Sequence, residues 1–81
     1  MNLVSNSSSS SFVVHINDLH GEQFFKIRNH KELNDLNDYD TWFMYCEDGY
    51  LKGRCNMDNF SMRNFMEDIG VDLSKVRFEY D

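Results

Sequence analysis

Hydrophobic and polar positions alternate most cleanly over Thr41–Met57, where Asp48-Gly49 sits midway between two runs of period two. Asp-Gly between alternating runs is a strong hairpin signal. A two-residue turn there pairs Cys46 with Leu51, Met44 with Gly53 and Trp42 with Cys55. One face then carries Trp42, Met44, Cys46, Leu51 and Cys55. The other carries Phe43, Tyr45, Glu47, Tyr50, Lys52 and Arg54. A slip of one residue would place Lys52 and Arg54 beside Trp42 and Met44, so the polarity pattern fixes the register.

The same reading extends along the chain. Phe12, Val14 and Ile16 alternate with Val13 and His15, which predicts a strand over Phe12–Ile16. Asn17–Gln23 reads as a loop. Phe24–Arg28 reads as a second short strand, with Phe25 and Ile27 opposite Phe24, Lys26 and Arg28. Asn29 and Glu32 have the spacing of a capping box and predict a short helix over His30–Asn37 that buries Leu33 and Leu36. Asp58 is the expected N-cap of a second helix, whose apolar face is Met62, Phe65, Met66 and Ile69. Gly70 fits its left-handed C′ position, with Val71 placed for a Schellman contact. Val76, Phe78 and Tyr80 alternate with Arg77 and Glu79 in a last strand.

The expected order is ββαββαβ, a single small α+β domain with a mostly antiparallel sheet and two helices on one face. Residues 12–81 form that domain. Residues 1–11 form a separate Ser-rich segment, expected to be mobile because Ser5–Ser11 offers no apolar anchor against the entropy of ordering.

The chain has 81 residues, enough for one domain with a modest core. Its 14 acidic and eight basic residues give a net charge of −6, which argues against general affinity for nucleic acid or anionic membranes. No apolar run approaches a membrane span, and no signal-peptide pattern opens the chain, so a cytoplasmic protein is expected. Cys46 and Cys55 fall on one face of the hairpin, roughly 13 Å apart at strand rise, too far for a disulfide. Both are read as reduced thiols facing the helices.

Sites with familiar chemistry are few. His15, His20, His30, Cys46 and Cys55 have no metal-ligand spacing, so no metal or other cofactor is expected. The acidic run Asp35–Asp40 lacks the spacing and glycine of a calcium loop. No P-loop, nucleophile elbow, dinucleotide fingerprint or zinc-protease motif occurs, and the chain reads as no enzyme.

What stands out is the hairpin face without a helical cover. Phe43, Tyr45, Tyr50, Lys52 and Arg54 form a partner-binding surface of aromatics with cations, the composition of interface hot spots. Phe43 with Arg54 and Tyr45 with Lys52 are expected to make cation–π pairs.

Residues Val4–Val14 resemble the VSNSSSSSF opening shared by many small, mostly uncharacterised proteins of tailed bacteriophages and some bacteria. The resemblance implies a phage accessory protein acting inside a bacterium, where it binds and modulates or inhibits a host protein. Two alternatives stand beside it. One is a self-assembling structural protein whose homo-oligomer contacts use the same open face. The other is an acidic DNA mimic that blocks a DNA-binding protein.

Overall fold

The computed structural model describes residues 9–56 and 60–80. Four antiparallel strands make one sheet: β1 (Ser10–His15), β2 (Phe43–Glu47), β3 (Tyr50–Cys55) and β4 (Val76–Tyr80), in the spatial order β2-β3-β1-β4. The helices are α1 (Gly21–Arg28), α2 (His30–Leu33) and α3 (Met62–Asp68). The chain is a small single α+β domain. Its core joins the strand residues Phe12, Val14, Leu51, Cys55 and Val76 to Trp42 and to Ile27, Met62 and Met66 of the helices.

The hairpin has the expected register, with Phe43 opposite Arg54, Met44 opposite Gly53, Tyr45 opposite Lys52 and Cys46 opposite Leu51. Asp48 (φ 55°) and Gly49 (φ 83°) both have positive φ, the requirement of a type I′ turn, whose twist matches that of the strands it joins. Gly53 has a separate role. The Phe12 ring lies directly across it, and a β-carbon built on Gly53 would come within 2.3 Å of that ring. The missing side chain lets Phe12 fold over β3 and reach Trp42, with ring centroids 5.6 Å apart.

The element order agrees with expectation at every position but the second. Phe24–Arg28 is helical, not extended. Its buried residues are Gln23 and Ile27, and His30 follows on the same side, at i, i+4 and i+7. The buried stripe includes a Gln and a His, so hydrophobicity alone does not display it. Phe25, which the strand reading set on the same face as Ile27, is exposed while Ile27 is buried.

The expected capping box at Asn29 is displaced as well. Gln23 Oε1 accepts the His20 N–H at 2.9 Å, closing the start of α1, and Gln23 Nε2 donates to the Ile69 carbonyl at 3.4 Å. Asn29 makes no side-chain cap, and α2 ends at Leu33, short of Asn37. Asp35 has φ 51°, outside helical backbone, and Leu33 is exposed rather than buried.

For α3, the observed N-cap is Ser61, whose Oγ accepts the Asn64 N–H at 3.2 Å. Asp58 lies outside the described residues. At the other end Gly70 has φ 89°, its N–H donates to Glu67 O, and the Val71 N–H donates to Met66 O at 2.9 Å. That is a Schellman motif, with Val71 buried as its apolar contact.

The first strand begins at Ser10, inside the Ser-rich segment expected to be mobile. Ser10 pairs with Cys55 and Tyr80 and is buried; Ser11 pairs with Arg54 and Glu79. Residues 1–8 of that segment lie outside the described residues. Backbone pairing with two neighbours orders these serines without any apolar side chain.

Candidate functional site

Alternation along the strands sends Ser11, Val13, His15, Phe43, Tyr45, Glu47, Tyr50, Lys52, Arg54, Arg77 and Glu79 to the face away from the helices. The register arranges them in rows across the sheet. Phe43, Arg54, Ser11 and Glu79 form one; Tyr45, Lys52, Val13 and Arg77 the next; Glu47, Tyr50 and His15 the third. All five residues singled out from the sequence fall on this face.

The aromatic side chains there are open to solvent. Phe43 is 67% exposed, Tyr45 42% and Tyr50 40%. Phe43 and Tyr45 follow each other on one strand, with centroids 6.1 Å apart and planes tilted by 40°. Tyr50 meets His15 edge to face at 4.9 Å, which extends the aromatic surface from the hairpin onto β1. The rings sit on three-stranded pairing rather than on a loop, so little orientational entropy remains for a partner to remove.

The expected cation–π pairs do not form. Among the described residues the cation–π contact is Arg63 over Phe78, at 5.9 Å and on the helical side. Lys52 turns along the hairpin to Glu47, Nζ to Oε1 2.7 Å. That bond raises the Lys52 pKa and lowers the Glu47 pKa, each through the hydrogen bond first and the opposite charge after it. A carboxylate within reach outcompetes a ring quadrupole for a solvated ammonium.

Arg54 is exposed, has no ion-pair partner among the described residues, and lines a shallow depression with Asp38, Tyr39, Thr41 and Phe43. A second depression is lined by Val13, His15, Tyr50 and Arg77, with Asp18 and Lys75 at its rim. The face therefore carries Lys52, Arg54 and Arg77 against Glu47 and Glu79. With Asp38, Asp18 and Lys75 at its margins, the charges of this region balance on a chain of net charge −6. Arg77 and Val13 were not part of the five-residue set. Alternation placed both on an outer face, but only the order β2-β3-β1-β4 brings them beside the hairpin.

Cys46 and Cys55 are not joined in a disulfide. Cys55 is buried, as expected, whereas Cys46 is exposed: β2 is an edge strand, and the helical layer does not cover its far end. No group of three or more His, Cys, Asp or Glu among the described residues is placed to hold a metal ion. No helix among them is long and apolar enough to cross a membrane. No protein-family model, curated protein or solved structure matches the chain.

Proposed function

We propose that the chain is a non-enzymatic binding module that docks a bacterial protein on the outer face of its sheet and modulates or inhibits that protein. The observation that carries this reading is the solvent-exposed set Phe43, Tyr45 and Tyr50, carried on paired strands beside Arg54, which has no ion-pair partner among the described residues. Exposed aromatics next to an arginine lose water readily on docking and supply most of the energy of small interfaces. Solvating the same rings in a free domain gains nothing for stability.

The chemistry of the face describes the partner. Arg54, exposed and without an ion-pair partner among the described residues, favours an acidic group set among apolar side chains, the carboxylate meeting its guanidinium. The likeness of Val4–Val14 to phage proteins supplies the setting, a phage accessory protein in the cytoplasm of its host.

The test is affinity capture from bacterial lysate with the intact chain and with the Phe43→Ala/Tyr45→Ala variant. One host protein should be retained by the first and lost by the second. Equal retention by both would place binding elsewhere. If the captured proteins bind DNA and the Ala variant retains them, acidic mimicry replaces the sheet-face reading.

A further inference from the structure

Both edges of the sheet present backbone groups that no neighbouring strand among the described residues takes up. In antiparallel pairing each residue points both its N–H and its C=O to the same neighbour, alternating along the strand. The Ile16 N–H donates to Gly49 O at 3.0 Å, so Ile16 and Gly49 form a hydrogen-bonded pair. Counting back along β1, Val14, Phe12 and Ser10 bond β3, while Val13 and Ser11 bond Arg77 and Glu79 of β4. Phe78 and Tyr80 therefore direct their N–H and C=O groups away from the sheet, at its outer edge. Val76 does likewise with its C=O, its N–H being taken by Leu73 O.

The β2 edge offers an equivalent set. The same count turns Trp42, Met44 and Cys46 outward, and the Trp42 N–H is already bound to His30 Nε2 at 3.0 Å.

We infer that β4 is a self-pairing edge, joining a second copy of the chain antiparallel about Phe78 to make a continuous eight-stranded sheet. Phe78 would exchange both of its backbone bonds with Phe78 of the other copy. Each Tyr80 N–H would donate to the Val76 carbonyl opposite.

The side chains select this register. With Phe78 opposite Phe78, each Arg77 faces a Glu79, twice by symmetry, on the non-hydrogen-bonded positions where side chains lie closest. A shift of two residues either way would set Arg77 against Arg77 or Glu79 against Glu79. A shift of one would turn the apolar face of β4 outward. Charged residues commonly guard an edge strand against pairing; here their order admits one partner strand, its own.

Both side chains are free to turn towards such a partner. Within one copy Arg77 Nε lies 3.9 Å from Glu79 Oε2, with the side chains 80% and 67% exposed, a contact worth little in water. On the helical side Tyr80 is exposed and stacks on Phe78, ring planes 8° apart, so a second β4 would cover it. A two-fold operation closes this contact, whereas β4 on β2 of another copy would propagate without end. One strand edge buries less than the roughly 800 Å² per partner of a standard interface, so association in the micromolar range is expected. The inference does not depend on the docking role given to Phe43 and Tyr45.

Sedimentation velocity across a micromolar concentration series tests it with charge exchanges. The wild-type chain should pass from monomer to dimer. Arg77→Glu alone and Glu79→Arg alone should each weaken the dimer by on the order of tenfold, since two attractive cross-strand pairs become repulsive. The double variant R77E/E79R should recover wild-type association, and an equimolar mixture of the two single variants should form a mixed dimer. Circular dichroism of each variant should match wild type, both side chains being solvated. A wild-type chain that stays monomeric at hundreds of micromolar overturns the inference. So does a dimer indifferent to the single exchanges, or one that neither the double variant nor the mixture restores.

Discussion

His30 and Trp42 are joined across the domain: the Trp42 N–H donates to His30 Nε2 at 3.0 Å, and His30 Nδ1 lies 2.7 Å from the Ile27 carbonyl. Because Trp42 brings a proton to Nε2, the ring's own proton is on Nδ1, donating to Ile27. The imidazole is thus neutral and fully engaged. It stacks on Phe60, whose carbonyl accepts the Trp42 indole N–H at 3.0 Å. One buried ring therefore ties the end of α1 to the start of the hairpin that carries the exposed aromatics.

Burial lowers the His30 pKa, outweighing the opposing effects of the Ile27 carbonyl and of Glu32. The unfolded chain then binds a proton at a higher pH than the folded one. Its contribution to stability is complete above about pH 6.5 and declines as pH falls below that value, by up to about 1.4 kcal/mol per pH unit. Urea midpoints measured across this range should fall with pH in wild type, and the His30 share of that slope should vanish in His30→Gln. His30→Ala should cost about 2–4 kcal/mol at neutral pH, leaving a cavity and an unpaired Trp42 N–H. A variant as stable as wild type would mean that the Ile27–His30–Trp42 link carries no load.

Gly53→Ala should destabilise the fold by about 1–3 kcal/mol, because the new methyl meets the Phe12 ring within the core. Adding Phe12→Leu should recover part of the loss, a coupling expected of residues in contact. Thermal denaturation of the two single variants and the double variant measures it. Additive losses would show that the ring does not depend on the bare backbone at Gly53.

Ser10 is buried, and its Oγ has no hydrogen-bond partner among the described residues. Ser10→Ala should therefore be neutral or stabilising by up to about 1 kcal/mol, since an unpaired hydroxyl gains nothing from burial. A clear loss of stability on calorimetry would reveal a partner for that hydroxyl.

Elements whose signal is local were legible in the sequence. Asp48-Gly49 supplies its own positive φ, so the hairpin, its register and the five residues on its outer face follow from a few positions. The Schellman ending at Gly70-Val71 is of the same kind. Phe24–Arg28 was not legible, since Phe24, Phe25 and Ile27 alternate as in a strand. The helix is set by Gln23 and His30, polar residues whose burial is offset by bonds to Ile69 and Trp42. Such bonds come from distant segments, and no local period records them. Lys52 shows the matching limit at the site: its cross-strand neighbour is Tyr45, but its partner is Glu47, reached diagonally.

The outer face of β2 and β3 is the proposed docking surface, and it can be tested apart from the fold. Phe43→Ala/Tyr45→Ala removes two solvent-exposed rings that contribute nothing to the core. The decisive measurement is partner capture and thermal stability on the same preparation of that variant. We expect the host protein to be lost while the melting temperature stays close to wild type. Retained capture at unchanged stability, or a collapse of the fold, would contradict the assignment of this face.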